Sequence, residues 1–176
     1  MRQMRRKNKR NKFKQKIYFD GINLFFPSIF LTLYLIFAAI TLLSKGSLYS
    51  YFWIIIPRGA LTVGLFAFFY LVAYSLLGAI TGVAISEKPC YRKNIKILNV
   101  LCLSGAGVTL LLWYNVVFGA FSLFFGFLLS IILNLNLGIS FFMSFKFSKI
   151  LFYLQIPLIL WSIYILWFSF CVMIIN

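Results

Sequence analysis

Histidine is absent from this chain of 176 residues, and the acidic residues number only two, Asp20 and Glu87. Catalysis by paired carboxylates, activation of a nucleophile by histidine, and metal sites of histidine and carboxylate therefore have no residues to use. Proton-coupled transporters usually carry an ionisable group within a membrane span, and neither carboxylate lies inside a long uncharged run. The sequence predicts a protein that is not an enzyme, has no metal site and requires no cofactor.

Cysteine is also scarce, and the three cysteines Cys90, Cys102 and Cys171 lack any C-x-x-C spacing. Because their number is odd, neither a disulfide framework nor a metal site is indicated, and we expect them to pack. Gly105 and Gly107 lie in an apolar stretch with no preceding strand, so they indicate close helix packing rather than a phosphate loop. No internal repeat suggests an inverted-repeat transporter.

Hydrophobic residues are abundant instead, at 63% of the chain, and the mean hydropathy is +0.99. This composition excludes a soluble globular domain, whose apolar share is about half. Because a helix that crosses a bilayer needs roughly 20 apolar residues, spans can be counted from the uncharged runs. These runs cover residues 21–44, 59–86, 97–145 and 150–176.

The third run has the length of two spans, and the cluster Trp113, Tyr114 and Asn115 is typical of the water interface, so we divide the run there. The fold class predicted is an all-α membrane protein, a bundle of five transmembrane helices over residues 21–176. A basic juxtamembrane tail, residues 1–20, precedes it. The helices are predicted near 22–43, 60–85, 97–114, 118–143 and 149–174.

The net charge of +15 is concentrated before the first helix, where the first 16 residues hold nine of the seventeen Lys and Arg. Such a flank stays in the cytoplasm and attracts anionic lipid, which we favour over a partner protein and over nucleic acid. With five spans, only Lys45 and Arg58 among the basic residues fall on the outer side. The N-terminus is therefore predicted inside and the C-terminus outside.

Residues 1–44 also suit a secretory signal peptide, but their apolar run exceeds the usual core of about 7 to 15 residues and ends without a small-x-small site. No arginine- and serine-rich mitochondrial presequence is present. A tail rich in Lys and Asn, with helices rich in Phe and Ile, suits an AT-rich bacterial genome. The predicted location is the bacterial plasma membrane, crossed several times.

Two helices carry aromatic stripes. Tyr70, Tyr74 and Gly78 follow at steps of four, and Gly78 forms a G-x-x-x-G pair with Gly82, for which helix packing is the commoner explanation. In the last helix the stripe consists of Tyr153, Pro157, Trp161, Tyr164 and Phe168.

Such stripes serve as core packing, as interfacial anchors or as the wall of a binding site, and their spacing does not decide among these roles. Trp167 is expected to anchor the outer face. Trp161 should lie near the middle of the membrane, since twelve residues separate it from Lys149. An indole N–H at that depth prefers a partner, which favours a functional role. Pro157 is expected to kink the last helix and open a groove beside Trp161.

Four segments carry a more specific pattern. They are "PRGALT" from residue 57, the Tyr70, Tyr74 and Gly78 triplet, "LLLWYNVVF" ending at Phe118, and "PLILW" ending at Trp161; the chain then ends at Asn176. In these segments the sequence resembles the tryptophan-rich sensory protein or translocator protein (TspO/MBR) family, as a divergent bacterial member. The resemblance covers about residues 57–176 and holds without gaps within each segment.

The sequence departs from the family pattern at five positions. Leu61 and Thr62 replace a Pro-Pro pair, and Tyr70 replaces the tryptophan of the second helix. Leu110 replaces an asparagine in the third helix, and Ile165 replaces a small residue in the fifth. Family members use these positions to line a pocket, so fold is expected to transfer better than ligand identity.

The resemblance implies a five-helix bundle, commonly a homodimer, that binds porphyrins such as haem or protoporphyrin IX as a sensor or carrier. The implied ligand-binding residues are Tyr70, Tyr74, Trp113, Phe118, Pro157 and Trp161. The implied pocket mouth holds Lys45, Tyr51, Trp53 and Arg58, where the two basic residues could pair with porphyrin propionates. A non-catalytic interaction protein with a degenerate pocket is the alternative. Light-dependent porphyrin breakdown, suggested for the family, lacks an acid/base pair here.

Overall fold

The computed structural model describes residues 21–43, 51, 54–86 and 93–176. Five long helices make up most of this part of the chain, and each contains a stretch long and apolar enough to cross a membrane. The helices are α1 (Gly21–Leu43), α2 (Val63–Ser86), α3 (Lys93–Tyr114), α4 (Leu123–Phe147) and α5 (Lys149–Ile175), and a π-helical segment, Asn115–Gly119, follows α3.

No strand occurs within these described ranges. The predicted all-α bundle of five apolar helices, and with it a multi-pass membrane protein, is therefore confirmed. The basic tail, Lys45, Trp53 and Cys90 lie outside the described residues. The predicted orientation, with the N-terminus inside and the C-terminus outside, stays a prediction.

The bounds of three helices differ from those predicted. Helix α2 begins three residues late because a turn precedes it, closed by a hydrogen bond from Ala60 N to Pro57 O at 3.1 Å. Gly59 occupies the position of that turn that requires a positive φ, here 91°. Helix α3 begins at Lys93, four residues before the predicted start at 97. The charged Lys96 lies within the helix and donates from Nζ to Ile85 O at the end of α2, at 2.7 Å.

Helix α4 was predicted over 118–143 and spans Leu123–Phe147 instead. Its late start has a local cause: Phe118 belongs to the π-helical segment, whose Asn115 carbonyl accepts from Ala120 N at 3.0 Å. At its other end, α4 continues to Phe147, and Ser148 then caps α5 by accepting from Leu151 N. The turn between α4 and α5 is therefore a single residue long.

Four helices form a ring in which α2 contacts α3, α3 contacts α4, α4 contacts α5, and α5 contacts α2 again. Helix α1 lies outside this ring and packs mainly against α2. Gly78 and Gly82 make the close approach possible: a Cβ on Gly78 would lie 2.6 Å from Phe30 O, and one on Gly82 would overlap the backbone of Pro27. The packing explanation for the G-x-x-x-G pair is confirmed.

Polar side chains inside the ring pair with one another, because hydrocarbon offers them no water. Asn99 of α3 donates from Nδ2 to Ser144 Oγ at 3.2 Å and accepts at Oδ1 from Ser140 Oγ at 2.6 Å. Gln155 of α5 donates from Nε2 to the same two hydroxyl groups, at 3.0 and 2.9 Å. This cluster fixes α3, α4 and α5 relative to one another near one end of the bundle.

We predict that Gly82→Ala destabilises the bundle by about 1–3 kcal/mol, because the new methyl group would overlap backbone atoms of α1 that cannot move aside without shifting the helix. Gly64→Ala is the matched control on the same helix, since a Cβ there meets no atom within 4 Å. The check is the thermal unfolding midpoint of the purified proteins in one detergent. Equal midpoints for the two variants would contradict the close α1–α2 contact.

Candidate functional site

Five aromatic side chains at one end of the bundle form a closed cluster, here called the aromatic core. Phe66 lies at its centre, with ring centroids 5.6 to 6.1 Å from those of Tyr51, Trp113, Phe118 and Phe168. None of the five side chains is more than 3% exposed. The space between these rings is therefore filled by the protein itself.

The π-helical segment explains how Trp113 and Phe118 come to the same cluster. In an α-helix, residues five apart point in directions about 140° apart, whereas a π turn brings them closer to one face. The two rings meet edge to face with centroids 5.9 Å apart. Trp113 is also fixed by its Nε1, which donates to Ser169 Oγ of α5 at 2.8 Å.

Tyr51 closes the aromatic core from the segment before α2. Its ring stacks on Phe118 and Phe168, with centroids 5.6 and 6.1 Å away. Its hydroxyl donates to Leu61 O at 2.7 Å, while Leu61 N donates to the Tyr164 hydroxyl at 3.0 Å. Burial and the nearby Tyr164 raise the pKa of Tyr51 to about 12, so the hydroxyl remains a donor even above the usual pKa of tyrosine.

Asn176, the last residue, holds the same segment at a second point. Its Oδ1 accepts from Ile55 N at 2.8 Å, and its Nδ2 donates to Ile55 O at 3.1 Å. One side chain thus satisfies both backbone groups of an irregular residue, as a neighbouring strand would. The carbonyl of Val172 accepts a further bond from Asn176 Nδ2, which orients the amide.

Tyr70 and Tyr74 lie beside the aromatic core, on the part of α2 that packs against α1 and α3. Tyr70 is fully buried, its ring packs 4.9 Å from that of Tyr114, and its hydroxyl lies beside Thr41 of α1. Tyr74 donates from its hydroxyl to Gly107 O at 2.7 Å and so connects α2 to α3. A cleft of about 310 Å³ between α1 and α3 borders Tyr74 on its other side.

The larger concave site is a groove of about 410 Å³ between α2 and α5, here called the α2–α5 groove. Its α2 wall includes Phe69, Val72 and Leu76, and its α5 wall includes Pro157, Leu160, Trp161 and Tyr164. Val72 is 45% exposed and Leu160 is 65% exposed, so the groove opens on the side of the bundle that faces lipid. A molecule dissolved in the bilayer could enter it sideways.

Trp161 forms the aromatic floor of this groove. Its ring lies between those of Phe69 and Tyr164, stacked on both, with centroids 5.9 and 5.2 Å away. Its Nε1 is buried and has no hydrogen-bond partner among the described residues. Helix α5 is continuous through Pro157, one turn earlier, although proline cannot donate to the Tyr153 carbonyl.

The structure thus divides the residues predicted for one pocket. Trp113 and Phe118 lie in the aromatic core with Tyr51, whereas Pro157 and Trp161 line the α2–α5 groove. Arg58 is exposed in the turn before α2, three residues from Leu61, which also borders the groove. The other two residues predicted at the pocket mouth, Lys45 and Trp53, lie outside the described part of the chain.

Sequence reasoning missed the residue at the centre of the core. Phe66 precedes Tyr70 by four residues, so it continues the stripe of Tyr70 and Tyr74 on the same helix face. That spacing could have identified it, but the chain holds 22 phenylalanines and many of them also fall at such steps. No spacing in the sequence identified Asn99 and Gln155, because only folding brings both of them to the hydroxyl groups of Ser140 and Ser144.

No protein-family model matches this chain, and no curated protein matches it either. The resemblance to the translocator protein family therefore stays a prediction. What the site can do has to be argued from the geometry of the aromatic core and of the α2–α5 groove.

Proposed function

We propose that this protein is a non-enzymatic membrane protein that binds a hydrophobic ligand from the bilayer in the α2–α5 groove. The observation that carries the proposal is an open apolar groove of about 410 Å³ whose floor is a stacked indole. Binding sites for apolar molecules are concave, largely preformed and lined by aromatic side chains with few polar groups. The aromatic core supports the groove because it holds Phe66 against Trp161, with centroids 5.5 Å apart.

A flat, largely apolar ligand suits this groove best. The rings of Phe69, Trp161 and Tyr164 offer aromatic surface on which another ring system can pack. Arg58, exposed near the Leu61 end, could pair with a carboxylate of the ligand. A tetrapyrrole such as haem or protoporphyrin IX combines these features, as the family resemblance also implies, and we propose it as the ligand class, sensed or carried by the protein.

The unpartnered N–H of Trp161 favours a ligand that carries a hydrogen-bond acceptor. A buried donor without an acceptor costs about 1–3 kcal/mol, so a ligand whose acceptor reaches this N–H after a shift of the indole recovers part of that cost. We propose that an oxygen or nitrogen atom of the ligand accepts from Trp161 Nε1. A pure hydrocarbon would fill the same groove but leave the donor unpaired.

A second candidate function is supported by the closure of the aromatic core. Since Trp113 and Phe118 are covered by Tyr51, the pocket that the family resemblance implies is filled. A non-catalytic interaction protein of the bacterial plasma membrane, whose basic tail binds anionic lipid or a partner, would need no ligand site. This candidate differs from the first because it predicts no saturable binding of a small molecule.

We predict that Val72→Trp weakens binding of protoporphyrin IX at least about tenfold, because the larger side chain occupies the groove from its lipid side. The measurement is a titration of the purified protein in nanodiscs, followed by porphyrin fluorescence and corrected with empty nanodiscs. Leu65→Trp is the matched control: it lies on the same helix, is 50% exposed and does not line the groove. Equal affinity of both variants would exclude the groove, and no saturable binding by the parent protein would favour the interaction protein.

We also predict that Trp161→Phe weakens porphyrin binding about tenfold, since phenylalanine keeps an aromatic ring in the stack but removes the donor. Trp167→Phe is the control on the same helix, because Trp167 is 39% exposed and lies off the groove. Both variants are titrated with protoporphyrin IX as above. If Trp161→Phe binds as tightly as the parent, the proposed acceptor contact is wrong, although the groove itself could still be the site.

A further inference from the structure

Gln155 of α5 carries a buried acceptor without a partner. Its side chain is fully buried, and its Oε1 accepts no hydrogen bond from any residue that the structure describes. The other end of the same amide is fully used, because Nε2 donates to Ser140 Oγ at 3.0 Å and to Ser144 Oγ at 2.9 Å. A buried carbonyl oxygen of this kind requires a donor, and the described part of the chain supplies none.

Ser144 of α4 has the complementary need. Its Oγ accepts from Gln155 Nε2 and from Asn99 Nδ2, and these two bonds occupy both lone pairs of the hydroxyl. The O–H of Ser144 is therefore left to donate, and none of its described neighbours accepts from it. The group formed by Asn99, Ser140, Ser144 and Gln155, here called the Gln155 cluster, thus needs one further donor and one further acceptor.

The two unpartnered groups are separated by a distance that one water molecule spans. Oε1 and Nε2 of Gln155 belong to one planar amide, so Oε1 lies about 5 Å or less from Ser144 Oγ. The two oxygen atoms are not bonded to each other directly. A water molecule makes hydrogen bonds of about 2.8 Å on either side, donating to Oε1 and accepting from the Ser144 O–H. One water molecule therefore satisfies both groups.

The need for a partner does not depend on which way the Gln155 amide is turned. With the amide turned over, its carbonyl would accept from Ser144, and its NH₂ group would be the end without a partner. Water suits either orientation because it both donates and accepts. The Gln155 cluster holds no carboxylate, and the net charge of the chain is +15, so a metal cation would be bound without a compensating negative charge.

The Gln155 cluster lies near one end of the bundle. Gln155 follows Lys149, the first residue of α5, by six positions, which is about 9 Å along the helix axis. Asn99 lies at the same distance from Lys93, the first residue of α3. Lysine side chains extend toward the headgroup region, so water at the membrane surface is close.

We propose that the Gln155 cluster is a binding site for one water molecule, which joins α5 to α4 through Gln155 Oε1 and Ser144 Oγ. Buried waters in proteins typically make about three hydrogen bonds to polar groups that would otherwise be unsatisfied. None of the four residues of the cluster lines the α2–α5 groove, so the water site does not depend on the proposed ligand.

The test is NMR spectroscopy of the full chain in deuterated detergent micelles, with nuclear Overhauser cross-peaks from water recorded at the side-chain amides. A cross-peak from a long-lived water is expected at Gln155 Nε2–H. Asn134 is the matched control, since its Nδ2 donates to Ser130 O and Ser162 O and its Oδ1 accepts from Ser162 Oγ. The Ser162 hydroxyl also controls for exchange of serine protons with water. No cross-peak at Gln155, or an equal one at Asn134, would overturn the proposal.

The same samples distinguish water from a cation. Gln3 and Gln15 are the other glutamines of the chain, so selective 15N labelling of glutamine leaves three side-chain amides to assign. Replacing sodium chloride or potassium chloride by choline chloride at equal ionic strength should leave both the Gln155 signals and their water cross-peak unchanged. A saturable shift of the Gln155 signals with sodium or potassium would mean that a metal ion occupies the cluster, and the water site would be wrong.

Discussion

The rest of the structure depends on the hydrogen bonds that hold the segment before α2 against α5 and the C-terminal residue Asn176. This segment is irregular, so its backbone groups do not find partners within a helix. Leu61 exchanges hydrogen bonds with two tyrosine hydroxyls, and Ile55 exchanges two with the terminal Asn176. These bonds place the ring of Tyr51 on the aromatic core. An aromatic surface that would otherwise form a pocket thereby becomes the packed end of the bundle.

The ligand site that we propose therefore lies on the side of the bundle. With the core filled, the accessible aromatic surface is the wall of α5 at Trp161, which the core supports from behind through Phe66. Inside the ring of helices, polar side chains pair by hydrogen bonds. Ser162 Oγ, for example, donates to Asn134 Oδ1 at 3.0 Å. The indole N–H of Trp161 is one of the buried polar groups that have no such partner among the described residues. We propose that the ligand of the α2–α5 groove supplies its acceptor.

Much of the fold was predictable, because transmembrane helices follow directly from uncharged apolar runs and the G-x-x-x-G pair of Gly78 and Gly82 follows from helix geometry. The site was less predictable. Stripes at steps of three and four identify which side chains share a face, as for Tyr70 and Trp161, but not whether the space between two faces is filled. That depends on Tyr51, which reaches the core from an irregular segment without any periodic pattern. The π-helical segment after Trp113, too, has no signature in the spacing of apolar residues.

The measurement that tests this account most directly is photolabelling in nanodiscs with a diazirine derivative of protoporphyrin IX, followed by mass spectrometry of the labelled peptides. Labels that unlabelled porphyrin competes away should map to the lipid-facing walls of the α2–α5 groove, at Val72, Leu76 and Leu160. Competable labels on Tyr70, Trp113 or Phe118 would contradict the account, because they would mean that the aromatic core opens and that Tyr51 is displaced by the ligand.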